Sequence, residues 1–258
     1  MNNAPMKDIQ DFLDLVLEGK GRDKSGVILF RGQGTDEPLL PRIARPDPRV
    51  DTGEKERTML DEFRRRATLL VPQGVDPDDK WELLVLAQHY GMTTRLLDWT
   101  TNPLVALWFA CTQAAGGNAI LVYLFVPKNE HLLDRTKDTT PWSPTATRVL
   151  QPNLNNSRLV AQSGWFTSHA FSKKSGRFVP LEGNARLTKS LYKLTFPRGK
   201  RVELVEQLDL MGINEQALFP DLAGVCRHMN WMHDTDQPTT RRSLPPGARE
   251  RTPRGSST

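Results

Sequence analysis

The sequence predicts an α+β fold, and two kinds of pattern support this prediction. Short apolar runs at 26–33 and 118–127 are typical of buried strands, because they contain β-branched residues and are too short for a buried helix. Segments such as 54–70, with apolar residues every three or four positions, are typical of amphipathic helices. At 258 residues, the chain is long enough to form a substantial hydrophobic core.

Local signals place the boundaries of the predicted elements. Asp76 is predicted to cap a helix, with Pro77 at its first position and Gly91 after its end. Thr101 or Asn102 is predicted to cap the next helix. Helices are predicted over 7–17, 54–70, 78–89, from 103 onward, over 200–210 and after 214–222; strands over 26–33, 118–127 and 190–197; a short strand or turn over 158–166; and a long loop over 128–152.

The composition argues against several classes of protein. Cys111 and Cys226 provide neither a disulfide framework nor a zinc site, and no spacing of ligand residues predicts another metal. No Gly-rich phosphate loop follows a predicted strand. The sequence shows no signal peptide and no apolar run long enough to cross a bilayer, so we expect a cytoplasmic protein without a membrane partner.

Positive charge is concentrated in two segments. The segment 165–201 contains nine Lys and Arg residues against Glu182 alone, with aromatic residues between them. This pattern favours a single-stranded nucleic acid partner, whereas an exposed basic pair of strands with buried aromatic residues explains it about as well. The candidate nucleic-acid contacts are Lys173, Lys174, Arg177 and Lys189. We expect a single domain over 1–232 and a disordered, arginine-rich tail over 233–258 that adds non-specific attraction.

The densest group of functional side chains lies in the segment 87–111, between two predicted helices. Arg95, Asp98 and Asn102 occur there beside Leu97 and Trp99, which favour burial. A buried connection must satisfy its backbone polar groups with side chains. Two interpretations remain open: a packed loop held by an Arg95–Asp98 pair, or the floor of a ligand pocket.

Several short motifs resemble the FRG-domain family, which is named for its Phe-Arg-Gly triplet. The resemblance covers about residues 8–232, and the block Thr94-Arg-Leu-Leu-Asp-Trp-Thr100 makes it specific. The other matching motifs are Phe30-Arg-Gly-Gln33, Leu40-Pro-Arg42, Gln88-His-Tyr-Gly91, Asn102-Pro-Leu104, Ala106-Leu-Trp-Phe-Ala110, Arg158-Leu-Val-Ala-Gln162 and Leu218-Phe-Pro-Asp221.

The resemblance implies a fold similar to the ADP-ribosyltransferases, a split mixed β-sheet with helices around an NAD cleft, and no metal. It implies an NAD-dependent ADP-ribosyltransferase from a bacterium or phage, acting as a toxin in a toxin–antitoxin or phage-defence system and neutralised by an antitoxin protein. If NAD is the donor, the basic segment 165–201 favours RNA slightly over DNA or protein as the acceptor. Two alternatives are a non-catalytic module that senses NAD or a related nucleotide, and an NAD glycohydrolase.

The resemblance also implies roles for individual residues. Glu215, Arg31 and His89 are the implied catalytic residues, with Glu215 stabilising the ribosyl cation. Structural roles compete with these: an ion pair for Arg95, and helix caps for His89 and Glu215. The implied NAD-binding residues are Arg31, Gly32, Gln33, Tyr90, Thr94, Arg95, Asp98, Trp99, Asn102, Arg158 and Gln162.

Overall fold

The computed structural model describes residues 1–20, 26–72, 74–113, 119–153 and 157–233. Apart from His233, the predicted tail over 233–258 lies outside these residues. The helices are α1 (Ile9–Lys20), α2 (Gly53–Ala67), α3 (Lys80–His89), α4 (Pro103–Gln113), α5 (Ser157–Ala161), α6 (Arg201–Leu210), α7 (Glu215–Leu218) and α8 (Leu222–Met232). The strands are β1 (Asn2–Pro5), β2 (Leu29–Gln33), β3 (Leu96–Thr100), β4 (Ile120–Phe125), β5 (Arg148–Leu150), β6 (Gly164–Ser168), β7 (Phe171–Ser172), β8 (Arg177–Phe178) and β9 (Leu191–Phe196). These elements confirm the predicted α+β class.

In the described part of the chain, seven strands form one mixed sheet in the order β1-β9-β4-β2-β3-β6-β5. β1 runs parallel to β9, and the other neighbouring strands are antiparallel. β7 and β8 form a separate hairpin. The predicted strands β2, β4 and β9 are therefore neighbours in the sheet.

Both faces of the sheet are covered. β4 is buried along its whole length, and its side chains alternate between two hydrophobic clusters. On one face, Val122 and Leu124 join a cluster with Phe12 of α1 and Leu204 of α6. On the other face, Tyr123 joins residues of β2, β3 and the segment before β9. Burial on both faces explains why β4 has a continuous apolar sequence.

β2 and β3 are joined through a single residue pair, Phe30 with Thr100. By contrast, β2 pairs with β4 from Leu29 to Gln33, and β3 pairs with β6 from Leu96 to Thr100. The two central strands separate beyond Phe30. Their backbone groups must then be satisfied by side chains instead of a regular ladder.

α4 lies directly against the open part of β2. A Cβ atom at Gly32 would be 1.9 Å from the carbonyl oxygen of Ala106 and 2.5 Å from the backbone nitrogen of Ala110. Only glycine allows this approach of helix to strand. The glycine of the Phe-Arg-Gly triplet therefore has a packing role that fixes α4 over β2.

The interpretation of 87–111 as a connection between two helices was wrong, because this segment contains β3. In β3, Leu97 and Trp99 join the cluster on one face of the sheet, and Leu96 joins a further cluster with α3. The exposed Asp98 interrupts the apolar pattern. The main pairing partner of β3 is β6, which is distant in sequence, so no local turn signal marks β3 as a strand.

Three other predicted features also differ from the structure. The segment 158–166 forms α5 and then the start of β6, joined by a sharp turn in which Ser163 has a left-handed φ of 47°. Asp79, and not Asp76, caps α3, since its side chain accepts hydrogen bonds from the backbone nitrogens of the second and third residues of the helix. Leu70 lies beyond the end of α2 and is exposed.

Candidate functional site

A cavity of about 280 Å³ lies where β2 and β3 separate. The two strands contribute to its lining together with α3, α4, α5, β6 and the residue that follows α7. It is lined by Phe30, Arg31, Gly32, Gln88, His89, Asp98, Trp99, Thr100, Ala106, Phe109, Gln113, Arg158, Leu159, Gln162, Phe166 and Phe219. The separation of the central strands thus brings polar and aromatic residues from distant parts of the chain together.

Arg31 bridges the gap between the separated strands. Its Nη1 donates to the backbone carbonyl of Asp98 at 2.8 Å, and its Nε donates to the side-chain oxygen of Gln33 at 3.1 Å. Gln33 is itself fixed by donating to the carbonyls of Thr35 and Glu37. Within the described residues, Nη2 of Arg31 has no hydrogen-bond acceptor.

The charge of Arg31 is incompletely compensated by the protein. Burial lowers the pKa of Arg31 to about 10, although the charge of Asp98 acts in the opposite direction. The nearest carboxylate oxygen of Asp98 is 3.9 Å from Nη1, and the Asp98 side chain is 66% exposed. A buried cation with a spare donor and a distant counter-charge is suited to hold an anionic ligand.

A chain of hydrogen bonds orients the side chain of Asp98. The amide nitrogen of Gln88 donates to Asp98 Oδ1 at 2.8 Å. The hydroxyl of Thr94 donates to the amide oxygen of Gln88 and accepts from the backbone nitrogen of Leu96. Thr94 is buried and cannot reorient freely. Gln88 is thereby held with its nitrogen towards Asp98.

His89 and Arg158 bring a second polar pair to the cavity. Burial, and then the charge of Arg158, lower the pKa of His89 from 6.5. The imidazole is therefore neutral at pH 7 and able to accept a proton. Arg158 donates to Asp221 at 2.6 Å, and this contact holds the pKa of Asp221 below its usual value of 3.8. Asp221 also caps α8 through the backbone nitrogen of Gly224.

Phe219 completes one wall of the cavity. The guanidinium groups of Arg158 and Arg227 lie 5.1 and 5.2 Å from the centre of its ring. Phe109 of α4 meets Phe219 edge to face, with ring centres 6.3 Å apart. Gln162 donates to the carbonyl of Leu218 at 3.1 Å. These contacts connect α7 and α8 to the sheet side of the cavity.

One region of the chain matches a known family model. Residues 26–118 match the family model of the FRG domain. The chain contains an FRG domain. No curated protein and no solved structure gives a significant match to the chain.

The matched residues, the FRG region, supply only part of the cavity. Arg31, His89 and Asp98 lie within this region, whereas Arg158 and Phe219 lie outside it. The cavity therefore depends on residues that follow the FRG region as well as on its motifs.

The structure brings together seven of the residues predicted for NAD binding or catalysis. Those that line the cavity are Arg31, Gly32, His89, Asp98, Trp99, Arg158 and Gln162. The indole of Trp99 also packs into the core, where its N–H donates to Thr167 at 3.0 Å. Its predicted contact with a ligand ring is therefore restricted to the part that faces the cavity.

Four other predicted ligand contacts of the FRG region do not line the cavity, and three of them support the surrounding structure instead. Gln33 holds Arg31, and Thr94 holds Gln88. Asn102 caps α4 by accepting hydrogen bonds from the backbone nitrogens of its second and third residues. Tyr90 is 67% exposed at the end of α3 and does not line the cavity.

The proposed Arg95–Asp98 ion pair was wrong. Arg95 is buried and pairs with Glu56 of α2, with Nε 2.5 Å from the carboxylate. Side chains alternate along a strand, so residues three positions apart point to opposite faces of the sheet. Arg95 therefore lies away from the cavity, while Asp98 faces Arg31 and Gln88.

Glu215 does not line the cavity with Arg31. It is the first residue of α7 and pairs with Arg227 at 2.6 Å, beside a separate cavity of about 80 Å³. Within the described residues, Asp98 is the one carboxylate that lines the cavity between β2 and β3. The structure therefore does not bring the three predicted catalytic residues into one site.

Sequence reasoning missed the contributions of Gln88 and the aromatic wall. Gln88 precedes His89, but its importance depends on the contact with Asp98, which local sequence does not reveal. Ala106, Phe109 and Gln113 are spaced by three and four residues and line the cavity as one stripe of α4. That spacing was a usable signal for the second face of the helix.

The predicted nucleic-acid contacts occupy two elements. Lys173, Lys174 and Arg177 are exposed on the β7–β8 hairpin. Lys189 is exposed in a short 3-10 helix before β9. The aromatic residues Phe171 and Phe178 of the hairpin pack against each other with ring centres 5.4 Å apart.

Membrane spans and metal clusters are both absent from the described residues. None of their helices combines the length and apolar character needed to cross a bilayer. No group of three or more His, Cys, Asp or Glu side chains is arranged to hold a metal ion in the same part of the chain.

Proposed function

We propose that the cavity binds NAD and that the chain is an ADP-ribosyltransferase. The observation that carries this proposal is Arg31, a buried cation with an unused donor next to the cavity carboxylate Asp98. A guanidinium is suited to a pyrophosphate, and a carboxylate is suited to a ribosyl group that gains positive charge during transfer. Both groups occur within one cavity.

The sheet supports the same proposal at the level of fold. The single residue pair between β2 and β3 divides the mixed sheet at its centre, and the cavity occupies that division. The FRG motifs resemble proteins with an ADP-ribosyltransferase-like split sheet. We therefore propose that the FRG region and the strands after it form such a fold.

The size and wall of the cavity favour binding of one end of the dinucleotide. Small-molecule pockets typically measure about 300–1,000 Å³, and this cavity is slightly smaller than that range. Phe109, Phe166 and Phe219 provide an apolar lining for a ring, and Phe166 is paired with Asp98 on the neighbouring strand. One ring and its ribose are thus enclosed, and the remaining part of NAD extends past Arg31.

Each polar residue has a separate role in the proposed reaction. Asp98, oriented by Gln88, accepts a hydrogen bond from a ribose hydroxyl and stabilises positive charge at the anomeric carbon. The bond from that carbon to the nicotinamide nitrogen breaks, and its electron pair leaves with nicotinamide. A bond then forms to the acceptor nucleophile, whose proton passes to neutral His89. The three residues act on different atoms of the same transfer.

The decisive experiment incubates the purified chain with NAD labelled in its adenosine half, together with RNA, DNA or cell protein. Label retained on a macromolecule supports ADP-ribosyl transfer, and release of nicotinamide without retained label supports an NAD glycohydrolase. Binding of NAD without turnover supports a sensing module. A toxin role predicts that the wild-type chain slows bacterial growth when expressed and that Asp98→Asn does not.

Two variants test the proposed roles of Arg31 and Asp98. Arg31→Ala should abolish NAD binding, whereas Asp98→Asn should retain binding and reduce turnover by about 100-fold or more. The amide that Asp98→Asn introduces keeps an oxygen that can accept from Gln88, so this change removes charge with little change of shape. Arg65→Ala is the matched control, because Arg65 is exposed on α2 away from the cavity. Unchanged NAD binding by Arg31→Ala would exclude Arg31 from the site.

A further inference from the structure

A third and larger concavity lies beside the β7–β8 hairpin. It has a volume of about 680 Å³ and runs between the start of α2, the loop that contains Trp142, and the hairpin residues Lys173 and Lys174. Arg95 also lines this concavity, and its charge is paired with Glu56. We refer to this concavity as the hairpin groove.

Trp142 is a partly exposed ring held in a fixed position in the hairpin groove. Its indole N–H donates to buried Glu56 at 3.2 Å, and the carbonyl of the preceding residue, Pro141, accepts from Arg95. The guanidinium of Arg57 lies 5.1 Å from the ring centre. An aromatic side chain that is ordered before binding offers a stacking surface at little entropic cost.

The hairpin side of the groove carries positive charge that the protein does not neutralise. Lys173 and Lys174 are exposed, and in the described part of the chain neither is paired with a carboxylate. Arg65 and Arg66 of α2 are equally exposed but share the carboxylate of Glu62. The hairpin lysines are therefore available for phosphates, unlike the arginines of α2.

The acidic groups of the groove lie at the start of α2. Asp51 accepts from the backbone nitrogen of Gly53, and Glu54 pairs with Arg57 at 3.3 Å. Both carboxylates already have partners on or next to their own helix. The arrangement leaves a basic side at the hairpin, a ring between the two sides, and a side at the start of α2 where Glu54 is paired with Arg57 and Asp51 keeps its charge.

The groove and the cavity are aligned with the same pair of strands. Arg95 of the groove is three residues before Asp98 of the cavity, and β3 pairs with β6 along this length. At a rise of about 3.3 Å per residue, the two positions are about 10 Å apart. Because the two side chains are on opposite faces of the sheet, this distance separates the two sites along the strand only.

We propose that the hairpin groove binds single-stranded nucleic acid. Lys173 and Lys174 contact phosphates, and a base stacks on Trp142. Single strands expose the faces of their bases to an aromatic ring, whereas a poly-acidic peptide could pair with the lysines but has no ring to stack on Trp142. The identification of this strand as the acceptor rests on the proposed function, but its binding does not.

The test measures binding of a fluorescent uridine oligonucleotide of about 12 nucleotides, within the typical site sizes of about 4–16. The full chain is titrated in the absence of NAD and at several salt concentrations. The double variant Lys173→Glu/Lys174→Glu should weaken binding by about 10-fold or more, and its salt slope should be shallower by about 1.4, since each single-strand phosphate contact contributes about 0.7. Arg65→Glu/Arg66→Glu is the matched control for charge and should retain the wild-type slope. The arginines of 241–254 contribute equally to both variants.

Changes at Trp142 separate stacking from charge. Trp142→Ala should weaken binding by about 10-fold, whereas Trp142→Phe keeps a ring and should retain most of the affinity. The Phe variant also loses the hydrogen bond to Glu56, so it controls for effects on folding. Arg31→Ala should bind the oligonucleotide as the wild-type chain does, because Arg31 lies in the cavity.

Three results would overturn the proposal. They are an unchanged affinity of the lysine double variant, an equal loss in the Arg65/Arg66 control, and binding of a poly-glutamate peptide in place of the oligonucleotide. Failure of NAD turnover with normal oligonucleotide binding would instead contradict only the proposed function. The two proposals can therefore fail separately.

Discussion

Arg31 and Arg95 differ in how completely the protein satisfies them. Arg95 donates to the carboxylate of Glu56 through Nε and to the carbonyl of Pro141 through Nη1. The side chains of Arg95 and Glu56 are only 6% and 0% exposed. Arg31 is 13% exposed, but its carboxylate, Asp98, is 66% exposed and 3.9 Å away.

This difference separates a structural arginine from a candidate ligand-binding one. A buried ion pair must recover the cost of removing both charges from water, and short, multiple hydrogen bonds do so for Arg95. Arg31 keeps a donor without an acceptor in the described residues, and burial lowers its pKa. Both residues are arginines of the central strands, one in the middle of β2 and the other directly before β3. The number of protein acceptors distinguishes them.

The largest expected effect is on the buried pair. Glu56→Gln should lower the free energy of unfolding by about 3–5 kcal/mol, because it leaves the buried charge of Arg95 without a counter-charge. Urea denaturation followed by circular dichroism measures this change. Glu62→Gln is the control: the same substitution at an exposed partner of Arg65 and Arg66 should have little effect. Similar midpoints for the two variants would remove the distinction between Arg95 and Arg31.

His169 lies in the electrostatic field of both arginines. It is buried, and its pKa is lowered to about 3, chiefly by burial and further by the charges of Arg31 and Arg95. The folded state binds no proton there above pH 5, whereas the unfolded state does so below about 6.5. Stability is therefore present above pH 6.5 and is lost as the pH falls.

We expect His169 to account for about 2 kcal/mol of lost unfolding free energy between pH 7 and pH 5. His169→Asn should remove that part of the pH dependence, as measured by urea denaturation at both pH values. His89 and His131 remain in the variant and contribute equally to both proteins. Parallel pH profiles would show that His169 is protonated or rearranged in the folded state.

The third prediction concerns the stability contribution of Arg31. Arg31→Met should change the free energy of unfolding by only about 1 kcal/mol or less, since loss of a poorly compensated buried charge offsets the lost hydrogen bonds. The same variant should lose NAD binding. Thermal unfolding and calorimetric titration measure the two effects. Destabilisation as large as that of Glu56→Gln would make Arg31 a structural residue.

Much of the fold could be predicted from local sequence. The helices α1, α2, α4 and α6 and the strands β2, β4 and β9 have clear periodicity or continuous apolar runs. Local patterns carry no comparable signal for β3, β5 and β6, because their stability depends on pairing with strands that are distant along the chain. Asp98 in the middle of β3 further obscures its pattern.

Sequence motifs could predict site residues whose role follows from their own chemistry. They could not predict residues whose role depends on a contact with a distant part of the chain. The motifs of Arg31 and Asp98 suggested a ligand pocket, and both residues line the cavity. The partner of Arg95 could not be predicted, since Glu56 lies 39 positions earlier, on a helix with the sequence pattern of a solvated amphipathic segment. The role of Gln88 likewise depends on Asp98 being nearby.

The smallest expected effect is at Glu215, which forms a third arginine–carboxylate pair. Its side chain is 24% exposed and that of Arg227 is 47% exposed, so the pair resembles a surface salt bridge of about 0–1 kcal/mol. Glu215→Gln should therefore change stability only slightly and leave NAD turnover intact, in contrast to Asp98→Asn. Turnover is measured as release of nicotinamide from saturating NAD. If Glu215→Gln instead abolishes turnover while NAD still binds, the catalytic carboxylate is Glu215. α7 would then have to move towards Arg31 during the reaction, because Glu215 lies outside the cavity in this structure.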